Sequence, residues 1–267
     1  MSQLTEALEN VKALTFDVFG TVVDWRSTVH GELIRRAREK IASSAFHELS
    51  EPLQERLKSI SDEDWDTFAQ EWRDTYVEFT HSFVPGKTEW KDIDAHHYDS
   101  LEALLHKWGV AGMYTGEETR SLSRTWHYLR PWDDSAVGIQ KLGTRYVTAT
   151  LSNGNRSLLE DLNEHGALGF KQIISTADFG AYKPHPSTYR GAVDALDCAP
   201  NEVAMVAAHL GDLDAARANG LRTIYVERAG EESHNDSRWQ DARDWVDLWI
   251  SREDEGFVEL ARRLGIP

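Results

Sequence analysis

The chain has 267 residues, enough for one large domain or for a core domain that carries an insertion. Its 45 acidic residues outnumber 29 Lys and Arg residues, and the formal net charge is -16. This charge argues against binding to nucleic acid or to an anionic membrane, because basic residues are too few to neutralise phosphates. The single cysteine, Cys198, excludes an internal disulfide and a cysteine-based zinc cage, as is typical of a reducing compartment.

The N-terminal segment, residues 1–12, is polar and acidic, without the apolar core of a signal peptide. No apolar stretch of about 18 residues, the length that spans a membrane, occurs in the sequence. We therefore expect a cytoplasmic protein with no nucleic-acid partner and no membrane partner.

The first predicted strand is the apolar run that begins at Ala13 and ends at Asp17. Gly20 then permits a sharp turn. Ligands of open α/β sheets bind at the carboxyl ends of the strands, which is where Asp17 lies. From these residues alone, Asp17 is either a functional carboxylate or an ordinary turn cap at the end of a strand.

Residues 25–132 show helical periodicity and almost no alternation of period two. The pattern predicts an all-helical insertion, and Arg130-Pro131-Trp132 marks the return to the core. Four helices are expected in this insertion, at residues 27–45, 63–79, 93–108 and 117–129.

From residue 135 onward, helical and strand patterns alternate, which is typical of a parallel sheet with helices on both faces. We predict helices at 135–142, 156–165, 186–196, 212–220 and 254–264, and strands at 145–151, 172–175, 203–208 and 222–226. Residues 244–250 form either a short strand or a turn, and 231–238 form a polar loop. The fold class is thus α/β, a Rossmann-like doubly wound parallel sheet formed by residues 11–24 and 133–267, with residues 25–132 as an inserted helical cap.

Further polar residues follow the predicted strands at the edge of the sheet where Asp17 lies. Ser152 and Asn153 combine hydroxyl, amide and backbone N–H groups, which suit an anion or simply cap the next helix. Lys183 stands in a loop stiffened by two prolines, where an isolated lysine is commonly solvated. Asp212 begins a helix, and its ordinary role is to cap that helix.

Taken in this order, Asp17 and Thr21, then Ser152, then Lys183, then Asp212 resemble the four-motif signature of the haloacid dehalogenase superfamily. The resemblance covers nearly the whole chain and implies a sheet core with a helical cap. It also implies that Asp17 is a nucleophile that forms a covalent aspartyl intermediate. Most members of the superfamily are magnesium-dependent phosphatases.

Two positions depart from the phosphatase pattern. Phosphatases of this superfamily place a second Asp two residues after the nucleophile, and here that position is Phe19. Their Gly-Asp pair at the end of the fourth strand corresponds to Ala207-Ala208. Without a metal ion, binding of a phosphate dianion beside two aspartates is unfavourable, because each close pair of like charges costs roughly 4 kcal/mol at an effective dielectric near 20.

The motifs Phe-Asp-Val-Phe-Gly-Thr, Leu-Ser-Asn-Gly and Lys-Pro-x-x-x-x-Tyr resemble those of the type II L-2-haloacid dehalogenases, which need no metal and no cofactor. In that family an aspartate displaces halide from the carbon that bears it, and water then cleaves the ester to give a 2-hydroxy acid. The resemblance implies that Thr21 orients Asp17 and that Ser152 and Asn153 hold the substrate carboxylate. It implies further that Lys183 balances charge while the hydrolytic water is positioned and activated by Tyr189 and Asp212.

The family also carries a Trp-Arg pair on an early cap helix, and Trp72-Arg73 resembles that pair. The resemblance implies that Arg73 receives the halide, although an arginine on such a helix is commonly a surface ion pair. Phe19, Trp72, Val77 and Trp90 are candidates for an apolar pocket around the carbon–halogen bond. For Trp90 ordinary core packing is an equal alternative.

One motif departs from the family pattern. Where bacterial members commonly have Ser-Ser-Asn, this chain has Ala207-Ala208-His209. His209 is compatible with a general base for ester hydrolysis, because the ordinary pKa of histidine lies near neutral pH. It is equally compatible with a hydrogen-bonded pocket residue that sizes the substrate.

Three functions are compatible with the sequence. The first is metal-independent hydrolysis of small 2-haloacids, with haloacid and halide as the small-molecule partners. The second is a phosphatase of the same superfamily acting on a small phosphate ester, and the third is a non-catalytic protein on this scaffold. Family members often pair through the cap, so the resemblance also permits a homodimer.

Overall fold

A computed structural model describes residues 6–232 and 240–267. The strands of this part are β1 (Ala13–Phe16), β2 (Val23–Asp24), β3 (Arg130–Pro131), β4 (Val147–Thr150), β5 (Val203–Ala207), β6 (Arg222–Val226) and β7 (Leu248–Ile250). Five of them form a parallel sheet in the order β4-β1-β5-β6-β7, and β2 pairs with β3 as an antiparallel ribbon.

The α-helices lie between and beside these strands. They are α1 (Trp25–Ala42), α2 (Glu51–Ser59), α3 (Asp62–Ser82), α4 (Ile93–Lys107), α5 (Gly116–Ser123), α6 (Ser135–Leu142), α7 (Arg156–His165), α8 (Pro186–Ala195), α9 (Leu210–Ala218), α10 (Ala242–Trp245) and α11 (Gly256–Arg263). None of the described helices is long and apolar enough to cross a membrane.

The sheet is buried on both faces. Side chains of a strand alternate between faces, so neighbouring residues of β5 enter separate apolar clusters. Val206 packs in the cluster that contains Phe257 of α11, whereas Met205 packs in the cluster that contains Leu213 of α9. The expected doubly wound α/β fold is confirmed.

The register of β1 places Asp17 at the carboxyl edge of the sheet, between the ends of β4 and β5. Thr15 is opposite Ala149 of β4 on one side and Met205 of β5 on the other. All four residues of β1 are buried, and the backbone N–H of Asp17 still donates to the carbonyl of Val206. Asp17 is therefore the first residue beyond the strand, held between the ends of two neighbouring strands.

The long helical segment leaves and re-enters the sheet region at one place. Val23 pairs with Pro131 and Asp24 with Arg130 in the β2–β3 ribbon, which brings both ends of the segment together. Within the segment, α3 begins at a capping box formed by Ser61 and Asp64. Its apolar residues recur at helical spacing and are buried against the other helices.

The structure differs from the expected elements in several places. The predicted helix at 117–129 is α5 followed by a 3₁₀ helix, Arg124–Tyr128, and the predicted strand at 172–175 makes only isolated bridges. The sequence reading missed α2, a short polar helix with a proline in its first turn. The ambiguous stretch at 244–250 completes α10 and then forms β7. The polar loop predicted at 231–238 lies outside the described residues from position 233.

Candidate active site

Asp17 is nearly buried, and three side chains donate hydrogen bonds to its carboxylate. Lys183 Nζ lies 2.9 Å from Oδ1. Thr21 Oγ1 lies 2.7 Å from Oδ2, and His209 Nδ1 lies 3.0 Å from the same oxygen. The Thr21 hydroxyl in turn accepts from the backbone N–H of Ala208 at 2.9 Å. Oδ2 therefore accepts two hydrogen bonds and Oδ1 accepts one.

Lys183 joins the two aspartates of the site. Its Nζ lies 2.6 Å from Asp212 Oδ2, and the other oxygen of Asp212 accepts from the Tyr189 hydroxyl at 2.6 Å. Tyr189 projects from α8, which begins just after the loop that carries Lys183, and Asp212 lies in the first turn of α9. The segments that follow β1 and β5, together with the loop before α8, thus place one ammonium group between two carboxylates.

The environments of the two aspartates differ in their effect on pKa. Burial alone would raise the pKa of Asp17, but Lys183 and His209 outweigh burial and hold it well below its ordinary value. Burial raises the pKa of Asp212, and the Asp17 carboxylate adds to that effect while Lys183 opposes it. The Lys183 pKa is raised because the two carboxylates outweigh its burial. At neutral pH, Asp17 is therefore ionised and Asp212 is the more basic carboxylate.

His209 lies between two carboxylates. Its Nδ1 faces Asp17 Oδ2 at 3.0 Å, and its Nε2 faces Glu231 Oε2 at 3.1 Å. Burial would lower the pKa of His209, but these carboxylates raise it to about 10. Because both nitrogens face acceptors, both carry hydrogen and the ring is an imidazolium.

The loop after β4 contributes Asn153. Its amide oxygen accepts from the backbone N–H of Lys183 at 2.7 Å and from Thr176 Oγ1 at 3.1 Å. Because its oxygen is engaged in this way, Asn153 presents its amide N–H₂ group as a donor to the cavity that it lines.

These groups open into a cavity of about 460 Å³ between the sheet edge and the helical segment. Arg73 of α3 lies in its wall, with its guanidinium carbon 4.6 Å from the centre of the Tyr76 ring and 5.6 Å from that of Trp25. The structure assigns Arg73 no hydrogen bond or ion pair with any residue that it describes. The cavity therefore has the Asp17 carboxylate at its base and, in its wall, a guanidinium without a carboxylate partner among the described residues.

The sequence of the chain matches a known family over most of its length. Residues 11–220 match the model of the haloacid dehalogenase-like hydrolases. The chain belongs to this family.

Its relatives include several 2-haloacid dehalogenases. The crystal structure of a defluorinating L-2-haloacid dehalogenase has a TM-score of 0.80 and 30% identity, over 99% of this chain and 100% of the other. That of another L-2-haloacid dehalogenase has a TM-score of 0.76 and 34% identity, over 95% and 99%. (S)-2-haloacid dehalogenase 1 of Pseudomonas sp. (strain CBS-3) is 27% identical over 226 residues, 83% of this chain and 86% of the relative. These similarities place the chain in the L-2-haloacid dehalogenase branch of the family.

Several residues expected at the site lie behind its wall. Ser152 is fully buried and accepts from the backbone N–H of Gly154 at 3.4 Å, so it contacts the loop and not the cavity. Phe19 packs edge-on against Tyr76 and Trp126. Of the four apolar candidates, only Val77 lines the cavity directly.

The two tryptophans proposed for the pocket lie elsewhere. Trp72 is fully buried inside the helical segment, where its indole N–H bonds with the carbonyl of His97 and the hydroxyl of Ser100. Trp90 stacks on Tyr182, with ring centres 4.8 Å apart, and does not line the cavity. The expectation failed because residues that are neighbours along α3 point in different directions: Arg73 faces the cavity and Trp72 does not.

The sequence reading missed one residue of the site, Glu231. It was assigned to a polar loop, but its side chain is largely buried beside His209, and Trp25 Nε1 donates to its Oε1 at 2.8 Å. Its position in the sequence could have indicated a place in the site, because Glu231 follows β6 at the same carboxyl edge of the sheet as Asp17.

The magnesium ion used by many hydrolases of this superfamily does not fit these residues. Lys183 already occupies the space between Asp17 and Asp212, and the two phosphatase positions for an extra carboxylate are Phe19 and Ala208, which offer no ligand. Among residues 6–232 and 240–267, no group of three or more His, Cys, Asp or Glu side chains has an arrangement that could hold a metal ion.

Proposed function

We propose that this protein hydrolyses small L-2-haloalkanoic acids to 2-hydroxy acids through a covalent aspartyl ester, without a metal ion. One observation carries the proposal. Asp17, ionised and held by Lys183, shares a cavity with the Arg73 guanidinium, which lacks a carboxylate partner among the described residues. A carboxylate nucleophile and an anion acceptor are the two groups that halide displacement needs.

In the first half-reaction, Asp17 Oδ1 is the attacking atom. Oδ2 accepts from both Thr21 and His209, whereas Oδ1 accepts only from Lys183 and keeps a lone pair for the substrate. Oδ1 forms a bond with C2 of the acid as the carbon–halogen bond breaks, and the halide leaves with the bonding electrons. Attack opposite to the halogen inverts the configuration at C2.

The substrate's own carboxylate needs donors, and its halide needs a cation. The Asn153 amide, on the loop after β4, is a donor in the wall of the cavity that contains Asp17, and this carboxylate is expected there. Arg73, on the helical side of the cavity, is the cation for the halide. Val77, Tyr76 and Trp25 supply apolar surface around the carbon–halogen bond.

In the second half-reaction, water attacks Cγ of the Asp17 ester. Asp212 is the better proton acceptor of the two aspartates, because burial raises its pKa while that of Asp17 is lowered. Tyr189 and Lys183 fix its two oxygens. His209 is not the base, because both of its nitrogens already donate hydrogen bonds.

The alternative of a phosphatase is less well supported. A phosphate dianion would join Asp17, Asp212, Glu231 and Glu232, and Phe19 and Ala208 supply no further metal ligand. The alternative of a non-catalytic scaffold leaves unexplained why Lys183 and Arg73 converge on the cavity that contains Asp17. The homodimer, the cytoplasmic location and the boundaries of the cap at 25 and 132 stay predictions from the sequence.

The test is halide release from L-2-chloropropionate and chloroacetate in the presence of EDTA, with Asp17→Asn beside the wild type. The proposal expects release that resists the chelator and that the substitution abolishes. Magnesium-dependent hydrolysis of phosphate esters without any halide release would establish the phosphatase instead. No activity of either kind would support the non-catalytic alternative.

A further inference from the structure

The loop after β6 contributes an acid that no motif of the family accounts for in this chain. Glu231 is largely buried, and its two oxygens are divided between two donors. Oε1 accepts from Trp25 Nε1 at 2.8 Å, and Oε2 faces His209 Nε2 at 3.1 Å. The carboxylate also lies against Gly20, where an added Cβ would be 2.1 Å from Oε2. Glu231 is thus fixed in one position by a helix, a glycine turn and the His209 ring.

The orientation of His209 follows from this arrangement. With carboxylate oxygens at both nitrogens, neither neutral tautomer satisfies both contacts, because each has only one N–H. His209 also precedes α9, and the positive end of a helix disfavours a cation there. Both the Asp17 and the Glu231 carboxylates are therefore needed to keep the His209 ring doubly protonated. Of the two, only Asp17 forms a bond with the substrate.

His209 contacts Oδ2 of Asp17, whereas the attacking oxygen is Oδ1. With Oδ1 esterified, Oδ2 becomes the ester carbonyl oxygen, and it retains Thr21 and His209 as donors. Water attack on Cγ moves the carbonyl π electrons onto Oδ2. Hydrogen-bond donors that already point at Oδ2 stabilise the negative charge that develops on this oxygen in the transition state.

We propose, on the basis of the proposed function, that Glu231 is a positioning residue for ester hydrolysis: it holds His209 as a double donor, so that Nδ1–H stabilises the oxyanion at Asp17 Oδ2. The step balances within the site. Water gives its proton to Asp212 and forms a bond to Cγ, and Oδ2 takes the displaced electron pair. When the tetrahedral intermediate collapses, the electron pair on Oδ2 re-forms the carbonyl, the bond from Cγ to Oδ1 breaks, and the hydroxy acid leaves with Oδ1 and a proton returned by Asp212. The second proton of the water stays on the regenerated Asp17 carboxyl group and passes to solvent as that group ionises.

The first test separates the two half-reactions in Glu231→Gln, which keeps the shape of the side chain and removes its charge. Displacement does not use the oxyanion, so the variant releases halide rapidly from the first turnover. Steady-state turnover falls by about ten- to a hundredfold, less than the roughly hundred- to thousandfold loss on removal of an oxyanion donor, because the substitution weakens the His209 donor and does not remove it. The ester therefore accumulates, and intact-protein mass spectrometry detects the attached acid during turnover.

Controls distinguish this role from a merely structural one. Glu202→Gln is the matched control, because Glu202 pairs with Lys12 at the opposite edge of the sheet and is expected to leave turnover unchanged. If Glu231→Gln fails to fold, Trp25→Phe removes the donor to Oε1 and is expected to give a smaller effect of the same kind. Wild-type turnover in Glu231→Gln, or equal slowing of both half-reactions without ester, would overturn the inference. Absence of halide release from the wild type would instead overturn the proposed function.

An independent test needs no turnover. Nitrogen NMR of labelled histidine reports whether each ring nitrogen carries hydrogen. We expect His209 to be doubly protonated at about pH 8, above the ordinary histidine pKa, in the wild type and neutral in Glu231→Gln. The charged groups around the ring that take part are Asp17, Lys183, Asp212 and Glu232, and the substitution leaves them unchanged. A neutral His209 in the wild type at this pH would contradict the inference.

Discussion

The guanidinium of Arg73 rests on the face of Tyr76, 4.6 Å from the ring centre. A cation held by an aromatic face, with no carboxylate among the described residues to neutralise it, keeps its N–H groups available for an anion that enters the cavity. Both residues project from α3, so one helix positions the anion acceptor and part of the wall that surrounds it.

Replacement of Arg73 tests its role as halide acceptor. Arg73→Gln is expected to lower kcat/KM for 2-chloropropionate by about a hundredfold, because a hydrogen bond to a charged group is worth roughly 1.5–3 kcal/mol. Steady-state kinetics measures the loss. Arg38→Gln, which breaks only an exposed ion pair with Asp62, serves as the control. Equal kinetics for the two variants would remove Arg73 from the reaction.

Gly20 allows the close approach of Glu231 to the loop that follows Asp17. Its φ is +84°, and a Cβ would meet the Glu231 carboxylate. Gly20→Ala is expected to destabilise the fold by about 1–2 kcal/mol through its backbone and to slow turnover at least tenfold by displacing Glu231.

Gly112 offers a matched control for this substitution. It has the same φ of +84°, and nothing lies within 4 Å of an added Cβ. Gly112→Ala is expected to lose similar stability in urea denaturation and to keep full turnover. Equal turnover rates for the two variants would show that the contact between Gly20 and Glu231 does not contribute to activity.

The pH dependence of stability follows from the His209 pairing. Its pKa is raised to about 10, so the pairing contributes stability that is complete below the ordinary histidine pKa and is lost as pH rises through about 10. The difference in unfolding free energy between the wild type and His209→Asn is therefore expected to shrink over that interval. Urea denaturation at a series of pH values measures it, and a difference that grows with pH would contradict the assignment.

A buried histidine, His127, links the helical segment to the sheet region. His127 Nδ1 lies 2.6 Å from Asp161 of α7, and Nε2 lies 2.9 Å from Asp94 of α4. Asn155, in the loop that carries Asn153, donates to the other oxygen of Asp94 at 2.9 Å. Burial would lower the pKa of His127, but the two carboxylates raise it, against the repulsion of Arg124.

His127→Gln is expected to lower the free energy of unfolding by about 1–3 kcal/mol, the usual loss when buried partners are left unpaired. Because the pKa is raised, the loss should be full below the ordinary histidine pKa and should diminish as pH rises through the raised value. Urea denaturation at acidic and alkaline pH measures both effects. His165→Gln, at an exposed histidine, should show neither.

Much of the fold was predictable because its signals are local. The apolar strands and the helices between them follow from periodicity, and α7 begins and ends where the pattern indicates. The predicted strand at 172–175 is wrong, because only Gln172 and Ser175 make isolated bridges. A short apolar run does not reveal how many backbone hydrogen bonds it makes. Helix α2 was missed because it has only nine residues and few apolar side chains.

The site was predictable only where a motif fixes position. Asp17 and Asp212 converge because they follow the neighbouring strands β1 and β5, and Lys183 reaches both from the loop before α8. The direction of the Trp72 side chain on α3 was not encoded in this way, and Trp90 lies in the loop between α3 and α4, so the expected positions of both were wrong. The state of His209 depends on Glu231, 22 positions away, and therefore required the structure.

The most direct test of the aspartyl ester is a single turnover in water enriched in oxygen-18, with enzyme in excess over L-2-chloropropionate. Proteolysis and mass spectrometry then locate the label. The account predicts label in the peptide that contains Asp17 and none in the 2-hydroxy acid, because the product takes its oxygen from the Asp17 carboxylate. Label in the product with an unlabelled Asp17 peptide would show direct attack of water on the substrate and would contradict the account.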